Sequence, residues 1–255
     1  MKNPYAYIVE HAQSIGNRSK QEDAILYSDE SVYERKGILA VLSDGMGGLS
    51  DGEKFSALAT ECMVRHFENT EPMEDICEEL RACFDVAQRA ALVLQKDGSQ
   101  GGATVVAVLI RNWKCAFLSV GDSSICLLRN GGLIHLNRKH TLGVSLDESV
   151  ALGYLDEEFA RSNIHRNSLT SHLGSENEIK CDVCSVPFSI MPGDRIALMS
   201  DGITGTLDEE ELTRLLGKGT CENAANCMIG AVLRSEKPRQ DNASILIIGF
   251  EKIRC

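Results

Sequence analysis

The chain has 255 residues, of which 43% are hydrophobic and 25% charged, and these proportions are typical of a soluble globular protein. Its formal net charge of −11 at pH 7 argues against nucleic acid or an anionic membrane as the main partner. No apolar stretch reaches the roughly 18 residues of a membrane span, and residues 1–4 lack the apolar segment of a signal peptide, so we expect a cytoplasmic protein.

The first strands are predicted from apolar runs that end in polar residues. Residues 5–15 predict one strand, which ends at Gly16 and leads into a polar loop containing Arg18. Residues 38–42 are apolar without helical spacing, as in a strand buried on both faces, and this strand ends at Asp44. An Asp-Gly pair is most often just a tight turn, but a carboxylate at the end of a buried strand needs a cation or several hydrogen-bond donors.

The pattern then becomes helical. Apolar residues recur on one face over residues 55–66 and again over 73–96, so we expect a layer of two helices. Three apolar runs follow at residues 103–110, 115–120 and 125–128, and they predict an antiparallel meander. Because no helix separates these runs, we exclude a doubly wound parallel sheet.

Regular structure is hardest to predict in residues 138–178, which are polar and weakly periodic. Long segments of this kind in a compact domain are usually functional or mobile. The elements expected after it are strands over residues 181–190, 195–200 and 243–250 and helices that begin after Asp208 and Thr220.

Acidic residues stand at one end of five of these predicted strands. They are Glu22-Asp23, Asp44, Asp122, Asp201 and Asp241. If the strands pack side by side, the carboxylates meet in one cleft and provide several oxygen ligands. With no histidine or cysteine among them, such a set suits Mg²⁺ or Mn²⁺ rather than zinc.

Six short motifs resemble those of the metal-dependent type 2C Ser/Thr protein phosphatases, occur in the same order and cover about residues 7–250. They are Gly16-Asn17-Arg18-Ser19-Lys20-Gln21-Glu22-Asp23, Asp44-Gly45-Met46-Gly47-Gly48, Gly101-Gly102-Ala103-Thr104, Gly121-Asp122-Ser123-Ser124, Ser200-Asp201-Gly202-Ile203-Thr204 and Asp241-Asn242. The resemblance, to a bacterial-type member, implies an α+β fold of two packed, mainly antiparallel β-sheets flanked by helices, an α-β-β-α sandwich. It also implies a single phosphatase domain over residues 1–255, with a flap inserted at about residues 138–178 beside the active site.

The activity implied by the resemblance is metal-dependent hydrolysis of phosphoserine and phosphothreonine in proteins by a metal-activated water, without a phosphoenzyme. Two Mn²⁺ or Mg²⁺ ions are expected, and a third as in bacterial members. The expected partners are phosphoproteins, namely a cognate Ser/Thr kinase and its substrates. The chain would act as a monomer that binds neither nucleic acid nor membrane.

The metal ligands also follow from the resemblance. Asp44 bridges the two ions, and the carbonyl of Gly45 binds one of them. Asp201 and Asp241 bind the other ion. Asp122 would help to hold the third ion, together with Asp201.

Further roles are implied for residues around the ligands. Arg18 and Asp44 are the expected catalytic residues, and Arg18 binds the phosphate, for which a planar guanidinium is well suited. Glu22 and Asp23 hold metal-bound waters, and Asn242 supports the site from outside the ligand set.

The chain departs from the family pattern at a few positions. Gln21 replaces the usual Asn, and Ser124 replaces the usual Arg. Met46 stands where eukaryotic members carry a histidine proposed as general acid, so protonation of the leaving group would fall to a metal-bound water. His140 lies where bacterial members usually have a histidine, and both a structural and a chemical role are open for it.

An alternative is a catalytically weak or inactive phosphatase-like module that binds phosphoproteins. Such a module would be free to lose metal ligands, and this chain keeps all of them, so we favour the enzyme.

Ten cysteines are present, and most of them lie inside apolar segments, where a thiol behaves as a small hydrophobic group. Cys181 and Cys184 have the spacing of a zinc or redox pair, but no second pair or histidine accompanies them. We therefore expect reduced thiols, as in a cytosolic protein.

Overall fold

Two antiparallel β-sheets packed face to face form the centre of the structure, a computed structural model that describes residues 5–46, 50–235 and 237–252. Gly47 and Gly48, which complete the motif that begins at Asp44, lie outside the described residues. The strands among the described residues are β1 (Tyr5–Ser14), β2 (Asp23–Tyr27), β3 (Ile38–Asp44), β4 (Val105–Arg111), β5 (Lys114–Val120), β6 (Ser124–Arg129), β7 (Gly132–His135), β8 (Asp182–Val183), β9 (Phe188–Ser189), β10 (Arg195–Met199) and β11 (Ala243–Lys252).

One sheet has the strand order β1-β11-β10-β6-β7. The other has the order β2-β3-β4-β5-β8, and β9 also pairs with β5. All of these strand pairs are antiparallel.

The helices flank the sheets, and none in the described part of the chain is both long and apolar enough to cross a membrane. The α-helices are α1 (Tyr33–Lys36), α2 (Gly52–Asn69), α3 (Ile76–Lys96), α4 (Leu142–Ala151), α5 (Glu157–Ser162), α6 (Asp201–Thr204), α7 (Glu209–Leu216) and α8 (Cys221–Arg234). Two predicted starts are confirmed by their caps, because Asp208 Oδ1 accepts from the Glu211 amide at 2.8 Å and Thr220 Oγ1 accepts from the Asn223 amide at 3.2 Å.

The alternation of side chains along β3 explains why the sandwich has three apolar layers. Leu39 and Val41 point to the layer shared with α2 and α3, whereas Ile38, Ala40 and Leu42 point to the layer between the sheets. A third layer lies between the other sheet and α6 to α8. The predicted strand buried on both faces is therefore confirmed, and so is the α-β-β-α sandwich.

Two local predictions are wrong, and one segment for which no element was predicted contains helices. The meander does not continue beyond β5, because the chain crosses at residues 121–123 and β6 pairs with β10 in the other sheet. The single strand expected over residues 181–190 is two short strands, β8 and β9, paired with different parts of β5. The weakly periodic segment 138–178 contains two helices, α4 and α5, which begin after the capping side chains of Thr141 and Asp156.

Candidate active site

The polar ends of both sheets meet at one edge of the sandwich. Asp23 begins β2 directly opposite Asp44, which ends β3. In the other sheet, Ser200 follows β10, and Ser244 lies at the beginning of β11. The sheets are joined here, because Asp23 Oδ2 accepts hydrogen bonds from the hydroxyls of Ser200 at 2.9 Å and of Ser244 at 2.6 Å.

The Asp23–Asp44 pair concentrates negative charge in a buried place. Asp23 is 6% exposed, and its Oδ1 has no hydrogen-bond partner among the described residues. Burial raises the pKa of Asp23 to about 6, although the two serine hydroxyls oppose this shift. Burial also raises the pKa of Asp44 well above its usual value, and the charges of Asp23 and Asp201 raise it further.

Thr104, the residue directly before β4, holds Asp44 in place. Its amide donates to the Asp44 carbonyl at 2.8 Å, and its Oγ1 accepts from the Asp44 amide at 3.1 Å. The same hydroxyl lies 2.7 Å from the hydroxyl of Ser123. Asp44 is thereby linked to the crossover that carries Asp122.

Gly45 follows Asp44 where no other residue fits. Its amide donates to the Glu22 carbonyl at 3.0 Å, and a Cβ added there would lie 2.5 Å from the backbone of Gly52. The next amide, that of Met46, donates to the Gly102 carbonyl at 3.0 Å. Close approach of three backbone segments therefore requires glycine at position 45.

Arg18 and Asp241 lie together at the outer rim. Arg18 Nη2 donates to Asp241 Oδ2 at 2.6 Å, and its Nη1 is 3.9 Å from Glu22 Oε2. The hydrogen bond to Asp241 raises the pKa of Arg18, and burial opposes this effect. Because the two paired side chains are 41% and 39% exposed, the guanidinium can exchange this partner for a ligand from solvent.

Asn242 organises the loop between β1 and β2. Its Oδ1 accepts from the Glu22 amide at 2.8 Å, while its Nδ2 donates to the carbonyls of Ile15 at 2.9 Å and Lys20 at 3.0 Å. Gln21, a departure from the family pattern, accepts from the Asp23 amide at 3.1 Å. The loop that carries Arg18 and Glu22 is thus fixed on the first residues before β11.

Asp122 and Asp201 form a second acidic pair. Burial raises the pKa of Asp122 to about 6, and the charge of Asp201 contributes to this increase. Burial and the charge of Asp241 raise the pKa of Asp201 in the same direction. Asp122 lies in the crossover after β5, and Asp201 is the first residue of α6.

His140 braces the turn before Asp122. Its amide donates to the Gly121 carbonyl at 2.8 Å, and its Nδ1 accepts from the Gly121 amide at 3.1 Å. Burial lowers the pKa of His140, so the neutral ring that this bond requires is favoured. Of the two roles left open by the sequence, this geometry supports the structural one.

These residues fit divalent cations. The donors are carboxylate and carbonyl oxygens, Asp23 Oδ1 is buried without a partner, and neighbouring carboxylates disfavour one another's charged forms. Among the described residues, no three His, Cys, Asp or Glu side chains are grouped so that all could hold one ion. The oxygen donors named above are of the kind that Mg²⁺ and Mn²⁺ prefer.

All predicted site residues of this cluster lie at the same edge of the sandwich. The residues that hold them in place were not predicted. Thr104, Ser123 and Ser200 lie within three of the six motifs, but no role was predicted for them, and Ser244 lies outside every motif. Hydroxyl residues at strand ends carry no signal of their own. Lys139 was also missed, although its Nζ lies 3.1 Å from Thr204 Oγ1 beside the second acidic pair.

Residues 12–234 match the family described as protein phosphatase 2C. The serine/threonine phosphatase stp of Listeria monocytogenes is 27% identical over 226 residues, which are 85% of this chain and 87% of that protein. The solved serine/threonine phosphatase of S. agalactiae covers 96% of this chain and 99% of its own, with a TM-score of 0.81 and 25% identity.

A third comparison concerns the fold alone. The catalytic domain of the serine/threonine protein phosphatase PstP, solved in complex with two manganese ions, has a TM-score of 0.75 and 24% identity. It covers 97% of this chain and 99% of its own. The two-sheet arrangement is therefore shared along almost the whole length of both chains.

Proposed function

Because this chain belongs to the protein phosphatase 2C family, we propose that it hydrolyses phosphoserine and phosphothreonine in proteins with Mn²⁺ or Mg²⁺ as cofactor. The observation that carries the proposal is the buried Asp23–Asp44 pair at the junction of the sheets, which needs a cation and has oxygen donors around it. The PstP domain with the same fold holds two manganese ions, which agrees with this assignment. The alternative of an inactive binding module has no support in the comparisons.

The residues that would hold the cations are Asp44, the carbonyl of Gly45, Asp201 and Asp241, with Asp122 at a third position. When bound, such ions lower the pKa of a water molecule and neutralise phosphate oxygens. Asp44 is kept in position for this by Thr104, and Asp23 by the hydroxyls from the other sheet. Asn242 orders the surrounding loop, and Glu22 and Asp23 would hold metal-bound waters.

Arg18 would bind the phosphate. Its half-exposed guanidinium lies at the rim of the acidic cleft, where it offers paired N–H donors that match two phosphate oxygens. If Asp241 binds a cation, its carboxylate attracts the Arg18 guanidinium less strongly. A doubly charged phosphate is then the better partner.

The leaving seryl or threonyl oxygen needs a proton, and two residues are poor sources of it. The Met46 side chain has no acidic proton. His140 uses Nδ1 as an acceptor for the Gly121 amide, and burial lowers its pKa, so its neutral form prevails. We therefore propose that a water molecule in the cleft supplies the proton, as the family resemblance implies.

We also propose a domain organisation, partners and a cellular location for the protein. Residues 1–255 would form one phosphatase domain, in which residues 138–178 form a flap near the site. The exposed apolar side chains of Tyr154 and Ile164, which are 81% and 89% accessible, give this segment a surface for phosphoprotein chains. A Ser/Thr kinase and its substrates would be the partners of a monomer in the cytoplasm, where the free thiols of the described cysteines would stay reduced.

The test is phosphate release from a phosphoserine peptide and from a phosphorylated protein, with and without Mn²⁺. We expect release only with the metal, and a loss of several orders of magnitude in kcat for Asp44→Asn. Asp85→Asn, which changes an exposed aspartate on α3, is the matched control and should leave kcat unchanged. Undiminished release by metal-free protein, or wild-type turnover by Asp44→Asn, would contradict the proposal.

A further inference from the structure

Two cysteines from distant parts of the chain are in contact at the apolar layer beneath α3. The Sγ atoms of Cys77, the second residue of α3, and of Cys184, the residue after β8, are 3.5 Å apart. The sulfurs of a disulfide are about 2.05 Å apart, so rotation of the two side chains has to close a gap of only roughly 1.5 Å. The two thiols are therefore close enough to be joined.

Both cysteines are held in place by their backbones. The amide of Cys77 donates to Asp75 Oδ1, the cap of α3, at 2.7 Å. The amide of Cys184 donates to the Phe117 carbonyl on β5 at 3.2 Å, and Cys184 Sγ accepts from the Phe117 amide at 3.3 Å. The contact therefore joins two positions that the fold fixes independently.

The CxxC spacing of Cys181 and Cys184 does not make these two a disulfide pair. They flank β8, and an extended backbone separates residues three apart by roughly 10 Å between their Cα atoms. The Cα atoms of a disulfide are usually about 4.4–6.8 Å apart. The partner that the structure indicates for Cys184 is therefore Cys77.

An oxidant from solvent would meet Cys184 first. Cys184 is partly exposed and is followed by the exposed Ser185 and Val186, whereas Cys77 is 8% exposed. Burial, and after it the contact with Cys184, raises the pKa of Cys77 to about 12, so Cys77 is still protonated when its partner reacts. Cys77 is then the second thiol of the reaction.

We propose that Cys77 and Cys184, free thiols in this structure, are a redox-sensitive pair that forms a disulfide when the protein meets hydrogen peroxide. The Cys184 sulfur attacks one peroxide oxygen and becomes a sulfenic acid, while the O–O bond breaks and the other oxygen leaves as water with the thiol proton. The Cys77 sulfur then attacks the Cys184 sulfur, and the hydroxide that leaves takes the Cys77 proton to form a second water. The two thiols lose two electrons and two protons, and the peroxide gains them.

The disulfide would fasten both ends of the segment 138–178 to α3. Asp182 in β8 accepts from the Arg138 amide at 2.8 Å, where the segment begins, and Gln88 on α3 accepts from the Gly174 amide at 2.8 Å, near its end. The bond would also join residues 107 positions apart, which removes much of the freedom of the unfolded chain. We expect oxidation to raise Tm by roughly 5–10 °C.

The test maps disulfides in the full chain and is independent of the proposed function. Reduced protein is treated with hydrogen peroxide, its remaining thiols are alkylated, and it is digested with trypsin without reductant. We expect the peptides 66–81 and 181–195 to be linked, and dithiothreitol to separate them. Further cleavage before Asp182 should leave the link on the part that contains Cys184. A link of Cys184 to Cys181 or Cys115, or no link at all, would overturn the inference.

Variants connect the link to the change in Tm. Cys77→Ser should abolish both the link and the increase in Tm on oxidation, whereas Cys181→Ser, the matched control within the CxxC pair, should keep both. An increase in Tm that persists in Cys77→Ser would show that another reaction stabilises the oxidised protein. If Cys77→Ser does not fold, Cys184→Ser and the peptide map of the wild type decide.

Discussion

The carboxylates of Asp23 and Asp44 face one another across two paired strands, which is unfavourable because like charges repel and burial removes the water that would screen them. Each is nevertheless fixed, Asp23 by two hydroxyls and Asp44 by Thr104. Groups that are already held in place lose little freedom when a ligand arrives. The unfavourable free energy of the metal-free pair is therefore the source of its affinity for a cation.

Arg18 allows a test at the scale of one side chain. We expect Arg18→Ala to raise KM for a phosphoserine peptide by roughly tenfold to a hundredfold, because a charged hydrogen bond contributes about 1.5–3 kcal/mol. Mn²⁺ affinity and folding stability should change little, since the half-exposed pair with Asp241 contributes at most about 1 kcal/mol. Steady-state kinetics and Mn²⁺ titration of the same preparations measure the two effects.

Two controls accompany Arg18→Ala. Arg18→Lys keeps the charge but loses the paired donors, so its KM should lie between those of the wild type and of Arg18→Ala. Arg89→Ala removes an exposed arginine from α3 and should have no effect. A weaker Mn²⁺ affinity without a change in KM would instead assign Arg18 a structural role.

At the residue scale, the sequence predicts the acidic residues but not what holds them. Asp23 and Asp201 stand out because a carboxylate follows or precedes an apolar run. Ser244 is 221 positions away from Asp23 in the chain, and no local pattern indicates that its hydroxyl will contact that carboxylate. Lys139 could not be predicted from the sequence either, because it is a basic residue within a polar segment.

At the scale of elements, local signals predicted local structure. The caps of α7 and α8 were predicted because a capping side chain and its amide lie three residues apart. The crossing between β5 and β6 was not, because the sheet that a strand joins depends on distant partners such as β10. The helices α4 and α5 were missed because their outward faces carry apolar residues, including Phe159, which is 58% exposed, and this obscures the helical period.

A buried ion pair joins α3 to the hairpin of β4 and β5. Arg111 Nη2 lies 2.6 Å from Glu79 Oε2, with the side chains 12% and 3% exposed. Arg111 also donates to the carbonyls of Lys36 at 2.7 Å and Met73 at 2.8 Å. We expect Arg111→Met to lower the free energy of unfolding by about 3–5 kcal/mol, because it leaves Glu79 buried without this partner.

Urea unfolding measures this effect against a matched pair. Arg35→Met breaks the Arg35–Glu71 pair, whose side chains are 53% and 88% exposed, and should lower the free energy of unfolding by less than about 1 kcal/mol. Replacing both partners, as Arg111→Met with Glu79→Met, should recover most of the loss, since neither charge of the pair remains buried. Equal losses for Arg111→Met and Arg35→Met would show that the buried pair is not important for docking α3.

At the scale of the whole molecule, the candidate site lies where two halves meet, each of which is one sheet with its own helices and its own apolar layer. One sheet is covered by α2 and α3, and the other by α6 to α8. The ends of the sheets share hydrogen bonds at Asp23, but the carboxylates of β3, α6 and the loop before β11 repel one another across the same edge. Cations bound there would convert that repulsion into attraction between the two halves.

Metal binding should therefore raise the free energy of unfolding of the whole protein. Mn²⁺ at about one hundred times its Kd should stabilise the wild type by about 2.7 kcal/mol, which for a chain of this size raises Tm by roughly 5–10 °C.

Asp44→Asn should abolish most of that increase, because it removes the predicted bridging ligand. The same substitution should raise the Tm of the metal-free protein, since a buried carboxylate surrounded by others is replaced by a neutral group. Asp85→Asn should behave as the wild type in both conditions. Calorimetry with and without chelator separates the two effects, and a metal-free Asp44→Asn protein that melts below the wild type would show that the charge of Asp44 does not oppose folding.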